Sequence, residues 1–191
     1  MSIHEDMNAM GAAALCAARE LAKLSSKKKN IILEAMADGI ERSADDIRAA
    51  NEADLAAGRA AGLSEAMLDR LELTPARIDA MVLGLRNVVA LQDPVGEEIS
   101  SWIRPNGLNI RKVRVPIGVI GIIFESRPNV AAEAAALCFK TANALILRGG
   151  KEAINSNRAI VAAMQQAGEE QGLPPNSIQL VQTVDRAAVK A

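Results

Sequence analysis

Aromatic side chains are almost missing from this chain of 191 residues: Trp102, Phe124 and Phe139 make up 2% of it, and tyrosine is absent. With a 50% hydrophobic composition, the core must be aliphatic and rich in alanine. Cysteine is scarce too. Cys16 and Cys138 lie far apart in alanine-rich surroundings, which argues against a disulfide framework and provides no metal-ligand spacing. No metal is expected, and a reducing cytoplasm fits. His4 is the single histidine and stands near the terminus, so no Ser-His-Asp or Cys-His constellation can be assembled. Charge of one sign is also lacking: 22 basic against 23 acidic side chains leave a net charge of −1, with no basic field for nucleic acid or an anionic membrane. The longest apolar run, Ile117 to Phe124, is far short of the roughly 20 residues that cross a bilayer. The start, with His4, Glu5 and Asp6, is not the basic lead of a secretory signal. Small molecules or proteins are left as partners.

What the chain does have, over residues 1–94, is a succession of helices. Met10, Ala14, Ala17, Leu21 and Leu24 form an apolar stripe on a helix of about Glu5 to Leu24. Ser25 and Ser26 offer caps for a second, whose inward face is Ile32, Leu33, Met36 and Ile40 and whose Lys27 to Lys29 are expected to stay in water. A third runs from Ser43 to Gly58 with Asp45 and Asp46 in its first turn, and Ser64 caps a short fourth. Thr74-Pro75 is the clearest start signal, a cap followed by proline at the first helical position, and Asp93-Pro94 ends that helix.

Residues 95–115 read as a hairpin. Ile99 to Ile103 and Leu108 to Val115 flank the turn Arg104-Pro105-Asn106-Gly107, and the alternation of Lys112 and Arg114 with Val113 and Val115 predicts one wet and one buried face. It is read as either a subunit contact or a surface flap.

Residues 116–191 read as β-α-β-α-β. The continuous run Ile117 to Phe124 predicts a strand covered on both faces, followed by a helix over about Asn129 to Ala142 with Asn143 as its left-handed stop. Ala144 to Leu147 is the second strand, Ala153 to Gln171 the second helix and Ile178 to Val181 the third strand; Asp185 then opens another helix. The fold class is α/β, with a helical segment, a hairpin, and the first half of an open parallel-sheet, Rossmann-like nucleotide-binding domain.

Ligands of such sheets lie beyond the carboxyl ends of the strands. Two loops qualify. Glu125-Ser126-Arg127-Pro128-Asn129 is either a polar cradle, with Arg127 gripping a carboxylate or phosphate and Asn129 donating to a developing oxyanion, or a turn capped by Asn129. Arg148-Gly149-Gly150-Lys151 places two cations and a flexible backbone before a helix, which suits a nucleotide phosphate. Neither is a standard fingerprint: Gly118 and Gly121 lie inside the first strand, and Gly150-Lys151 lacks the earlier glycine of a P-loop. Cys138, within Ala-Ala-Ala-Leu-Cys-Phe, is expected to be an inert buried thiol, and neither cysteine is expected to be catalytic.

The stretch VRVPIGVIGIIFESRPNVAAEAAALCFKTANALILRGGKEAINSNRA, Val113 to Ala159, closely resembles the gamma-glutamyl phosphate reductase (glutamate-5-semialdehyde dehydrogenase) family of the aldehyde dehydrogenase superfamily. NEADLAAGRAAGLSEAMLDRLELTPARIDAM (Asn51 to Met81) and DPVGEEI (Asp93 to Ile99) resemble its N-terminal half as well. ESRPNV and LRGGKEA set this family apart from ordinary aldehyde dehydrogenases. The resemblance implies NADPH-dependent reduction of L-glutamate 5-phosphate to L-glutamate 5-semialdehyde with release of phosphate, the second step of proline synthesis from glutamate, through a thioester on a cysteine. It implies cytoplasmic location, a glutamate 5-kinase as partner and a homo-oligomer at full length. It assigns the adenosine side of NADP to Arg148, Gly149, Gly150 and Lys151, and the substrate or oxyanion loop to Ser126, Arg127 and Asn129. The nucleophile belongs to a following catalytic domain, so residues 116–191 are expected to be an incomplete NADP-binding unit and the chain a fragment inactive alone. The alternative is a non-catalytic nucleotide-binding or assembly module of the same family.

Overall fold

The computed structural model describes residues 2–190, so Ala191, the end of the expected third segment, lies outside them. Five helices come first: α1 (Ile3–Leu21), α2 (Ser26–Arg42), α3 (Ala44–Ala60), α4 (Glu65–Leu71) and α5 (Pro75–Ala90). Their starts follow from side chains that satisfy the free N–H groups of the first turn. Ser2 Oγ accepts from Glu5 N while the Glu5 carboxylate accepts from Ser2 N; Ser25 and Thr74 accept from Lys28 N and Arg77 N. α1 stops at Leu21, a turn short of the expected end.

A hairpin follows, β1 (Glu98–Ile103) antiparallel to β2 (Asn109–Val113), closed by Gly107 at φ +84°. Its expected buried face is not there. Both strands are exposed almost throughout, with Trp102 at 47% and Ile103 at 73% relative accessibility, because the hairpin projects without a layer behind it.

The rest is a parallel sheet, β3 (Val119–Ile123), β4 (Ala144–Arg148) and β5 (Ile178–Leu180), in spatial order β3-β4-β5, with α6 (Asn129–Lys140) and α7 (Ile154–Glu170) as crossovers. β4, in the centre, is largely buried. The expectation that the first strand is covered on both faces fails: β3 is an edge strand, with Ile123 61% exposed and Ile117, just before it, 82% exposed. A continuous apolar run records what a strand can bury, not which neighbours it has.

One main core joins the helical segment to the sheet. α1 packs on β3, β4 and β5, α2 on α7 and α5, and α5 on α6. Alanine makes this density accessible: Ala131, Ala132, Ala135 and Ala136 of α6 are all fully buried. α2 and α7 cross so closely that a Cβ on Gly39 would come within 2.6 Å of Ala167 Cβ.

Two further expectations are corrected. Lys29 is not in water but 1% exposed: its Nζ lies 2.5 Å from Asp93 Oδ2 and donates to the Lys140 carbonyl at 3.0 Å. The left-handed residue after α6 is Ala142 (φ +58°), not Asn143. Asn143 is buried instead as a polar link, accepting from Gly118 N at 2.8 Å and donating to Thr141. Asp185 does cap a turn, a short 3-10 helix over Arg186–Val189, by accepting from Ala187 N.

Candidate functional site

The two loops picked out from sequence emerge side by side from the carboxyl ends of β3 and β4. The pairing runs past the strands, Phe124 N donating to Arg148 O at 3.0 Å. Beyond it, Ser126 Oγ donates to Glu152 Oε1 at 3.0 Å, tying the first loop to the second. Around this link lies a cavity of about 730 Å³ lined by Ser126, Arg148, Gly150, Lys151 and Glu152, by apolar Met67, Ile123, Phe124, Val184 and Val189, and by Glu125, Arg186 and Lys190. Four cations face two carboxylates there, so the cavity favours an anion.

Gly149 has a steric reason. A Cβ on Gly149 would collide with the buried Asn157 amide and come within 3.2 Å of the Phe124 ring; one on Gly150 would meet only the movable end of Glu152. Gly149 is buried beside this contact and does not line the cavity. Arg148 donates through Nη2 to Val184 O at 3.1 Å, while its buried Nε has no protein partner among the described residues. Asn157 is wholly buried with both amide atoms likewise unpaired.

Arg127 and Asn129 do not share this cavity. Pro128, at φ −62°, turns the chain into α6, and the two side chains face a second cleft of about 250 Å³ between α4, α5 and the start of α6. Asn129 Nδ2 donates to Glu133 Oε1 at 2.9 Å, which leaves one amide N–H for another acceptor. The expected site is thus split: Ser126 with Arg148, Gly150 and Lys151 on one side of the loop, Arg127 and Asn129 on the other.

Several residues of the site escaped sequence reasoning. Glu152, Arg186 and Lys190 join it through the fold; a spacing of four between the last two is the only local hint. The second loop is itself held from a distance. Asp54 of α3, buried, accepts from Ser156 N (2.8 Å), Ser156 Oγ (2.6 Å) and Asn155 Nδ2 (2.8 Å), and so caps α7 in place of a local residue. Asn51, one turn earlier on α3, donates to Ser156 Oγ and accepts from Leu73 N.

Neither thiol lines either cavity. Cys16 is exposed on α1; Cys138 is buried, and burial pushes its thiol above the ordinary cysteine value. Among the described residues no group of His, Cys, Asp and Glu is placed to hold a metal ion, and no helix is long and apolar enough to cross a membrane.

No protein-family model matches the chain. Solved structures do. Gamma-glutamyl phosphate reductase from Thermotoga maritima is 40% identical over 96% of this chain and 44% of its own, with a TM-score of 0.94. The Saccharomyces cerevisiae enzyme of the same name is 35% identical over 93% of this chain and 46% of its own, with a TM-score of 0.86. A probable aldehyde dehydrogenase from Listeria monocytogenes, 14% identical over 97% of this chain and 38% of its own, shares the fold alone (TM-score 0.71). The chain spans a little under half the length of the two reductases. With those identities sustained over nearly all of its residues, it belongs to the gamma-glutamyl phosphate reductase family and has the aldehyde dehydrogenase fold.

Proposed function

We propose that this chain supplies the nucleotide half-site, and one wall of the substrate site, for NADPH-dependent reduction of L-glutamate 5-phosphate to L-glutamate 5-semialdehyde with release of phosphate, the second step of proline synthesis from glutamate. The observation that carries the reading is the cavity gathered around the Ser126–Glu152 hydrogen bond at the ends of two parallel strands. Its donor set fits a nicotinamide dinucleotide. Arg148, which lines the cavity and spends Nη2 on the Val184 carbonyl, and Lys151 would hold phosphate oxygens, and Arg186 and Lys190 add positive charge to the same lining. Val184, Val189 and Met67 offer apolar surface to a base. The bound cofactor would supply the hydride. Glu152 opposes a 2'-phosphate, so a preference for NADPH rests on the cations outnumbering the carboxylates in that cavity.

On the other side of the loop, Arg127 is free to grip an anionic group of the substrate, and Asn129 keeps one N–H for a developing oxyanion. No nucleophile is assigned to this chain, because one thiol is exposed on a helix away from both cavities and the other is buried in the core. The reading places the protein in the cytoplasm, with a glutamate 5-kinase supplying its substrate. Assembly into a homo-oligomer would use the exposed hairpin, whose Trp102 and Ile103 also support the second reading, a non-catalytic assembly module of the same family.

Titration of the chain and of Lys151→Ala with NADPH and NADH tests the proposal. Lys151→Ala should weaken NADPH by about 1 to 3 kcal/mol, the scale of a hydrogen bond to a charged group, and NADH by less. Equal weakening of the two, or none, would remove Lys151 from the phosphate site.

A further inference from the structure

The cleft on the far side of the Ser126–Asn129 loop carries a charge pattern that the nucleotide does not need. Arg77 is already committed there: its guanidinium donates to the Asp69 carbonyl, to the Glu72 carbonyl at 2.9 Å and to the Asp69 carboxylate at 2.9 Å, and so holds the α4–α5 turn in shape. Arg70 and Arg127, by contrast, form no ion pair among the described residues, and the Glu72 carboxylate is unpaired as well. Glu133 is oriented by Asn129 and keeps a free carboxylate oxygen. Two uncommitted guanidinium groups and two available carboxylates thus line a space of about 250 Å³, the size of a small amino acid rather than of a nucleotide.

We infer that this cleft binds the α-amino-carboxylate end of an amino-acid substrate, with Arg127, supported by Arg70, on the α-carboxylate and Glu133, supported by Glu72, on the α-ammonium group. A zwitterion is what such a set can satisfy completely; a plain dicarboxylate would leave the acids opposed, and a plain amine the arginines unpaired. The inference rests on the reading above, in which the substrate is a glutamyl derivative reduced at its far end. It adds the reason for a loop with two faces: Ser126 turns to the nucleotide cavity, and Arg127 and Asn129 turn to the substrate, so the reacting carbon would sit at the loop itself.

Amide chemical shifts of the whole chain, titrated with L-glutamate, with glutarate (no α-amino group) and with 4-aminobutyrate (no α-carboxylate), test it. L-glutamate should move the amides of Arg127, Asn129 and Glu133, and each truncated compound should bind about tenfold more weakly or worse. Arg127→Gln and Glu133→Gln should each abolish the L-glutamate response while leaving the folded spectrum, and the shifts caused by NADP at Gly149 to Lys151, unchanged. The inference is overturned by no response to L-glutamate, a response confined to other residues, equal binding of either truncated compound, or an undiminished response in either variant. If NADP leaves Gly149 to Lys151 unmoved while L-glutamate behaves as expected, the nucleotide reading fails and the cleft assignment stands.

Discussion

Asp93 is the counter-charge for two buried lysines. Its carboxylate pairs with Lys29, which has almost no contact with water, and acts through space on Lys140, whose Nζ is capped by Asn30 Oδ1 at 2.7 Å and Val89 O at 2.9 Å. Burial lowers the Lys140 pKa below its ordinary 10.5; Asp93 raises it and Lys29 lowers it, and burial prevails. The native state therefore holds the Lys140 proton less tightly than the unfolded chain does. Stability contributed by this group rises as pH climbs from the lowered value towards 10.5, where the unfolded lysine also loses its charge. Asp93→Asn should cost about 3 kcal/mol at neutral pH, since two buried ammonium groups lose their counter-charge, and part of the loss should return in alkaline solution. Urea unfolding of the variant at several pH values checks this; a loss that is small or insensitive to pH would mean that water reaches the lysines. Sequence offered no sign of the arrangement. Lys27 to Lys29 look alike on paper, and only the packing of α2 against α6, with the approach of the segment after α5, selects the third for burial.

Among the elements, those whose signals are local could be read, and those that depend on distant neighbours could not. Thr74-Pro75 marks the start of α5 to the residue, and the strands β4 and β5 appear within a residue or so of where apolar runs place them. β3 and the hairpin were misjudged on burial because accessibility is decided by what packs on a strand. The same limit applies to the site. Both loops were legible, since a parallel strand followed by a helix fixes where ligands collect, but the side to which each residue turns depends on Pro128 and on the reach of Glu152. These exposures have a consequence. β3 presents an open hydrogen-bonding edge beside exposed Ile117 and Ile123, and the hairpin adds exposed Trp102 and Val115. Such edges and patches favour association, so the 191-residue chain should form oligomers, read by light scattering as a mass above that of a monomer. A monodisperse monomer with a sharp cooperative melt would show that these surfaces are tolerated in water.

For the molecule as a whole, the helical segment and the sheet share one core, and that core is what holds the two site loops in register. α3 reaches across to cap α7 through Asp54, so the loop after β4 is fixed by a helix a hundred residues earlier in the chain. The chain covers a little under half of its solved relatives, and on our account it carries the cofactor side of the reaction together with the amino-acid side of the substrate cleft. The most direct test is a crystal structure of this chain with NADP. The account predicts the nucleotide in the cavity between the β3 and β4 loops, its phosphate groups within hydrogen-bond reach of Arg148 and Lys151 and its base against Val184 and Val189. A nucleotide bound in the cleft of Arg127 and Glu133, or with its phosphates away from Arg148 and Lys151, would contradict it.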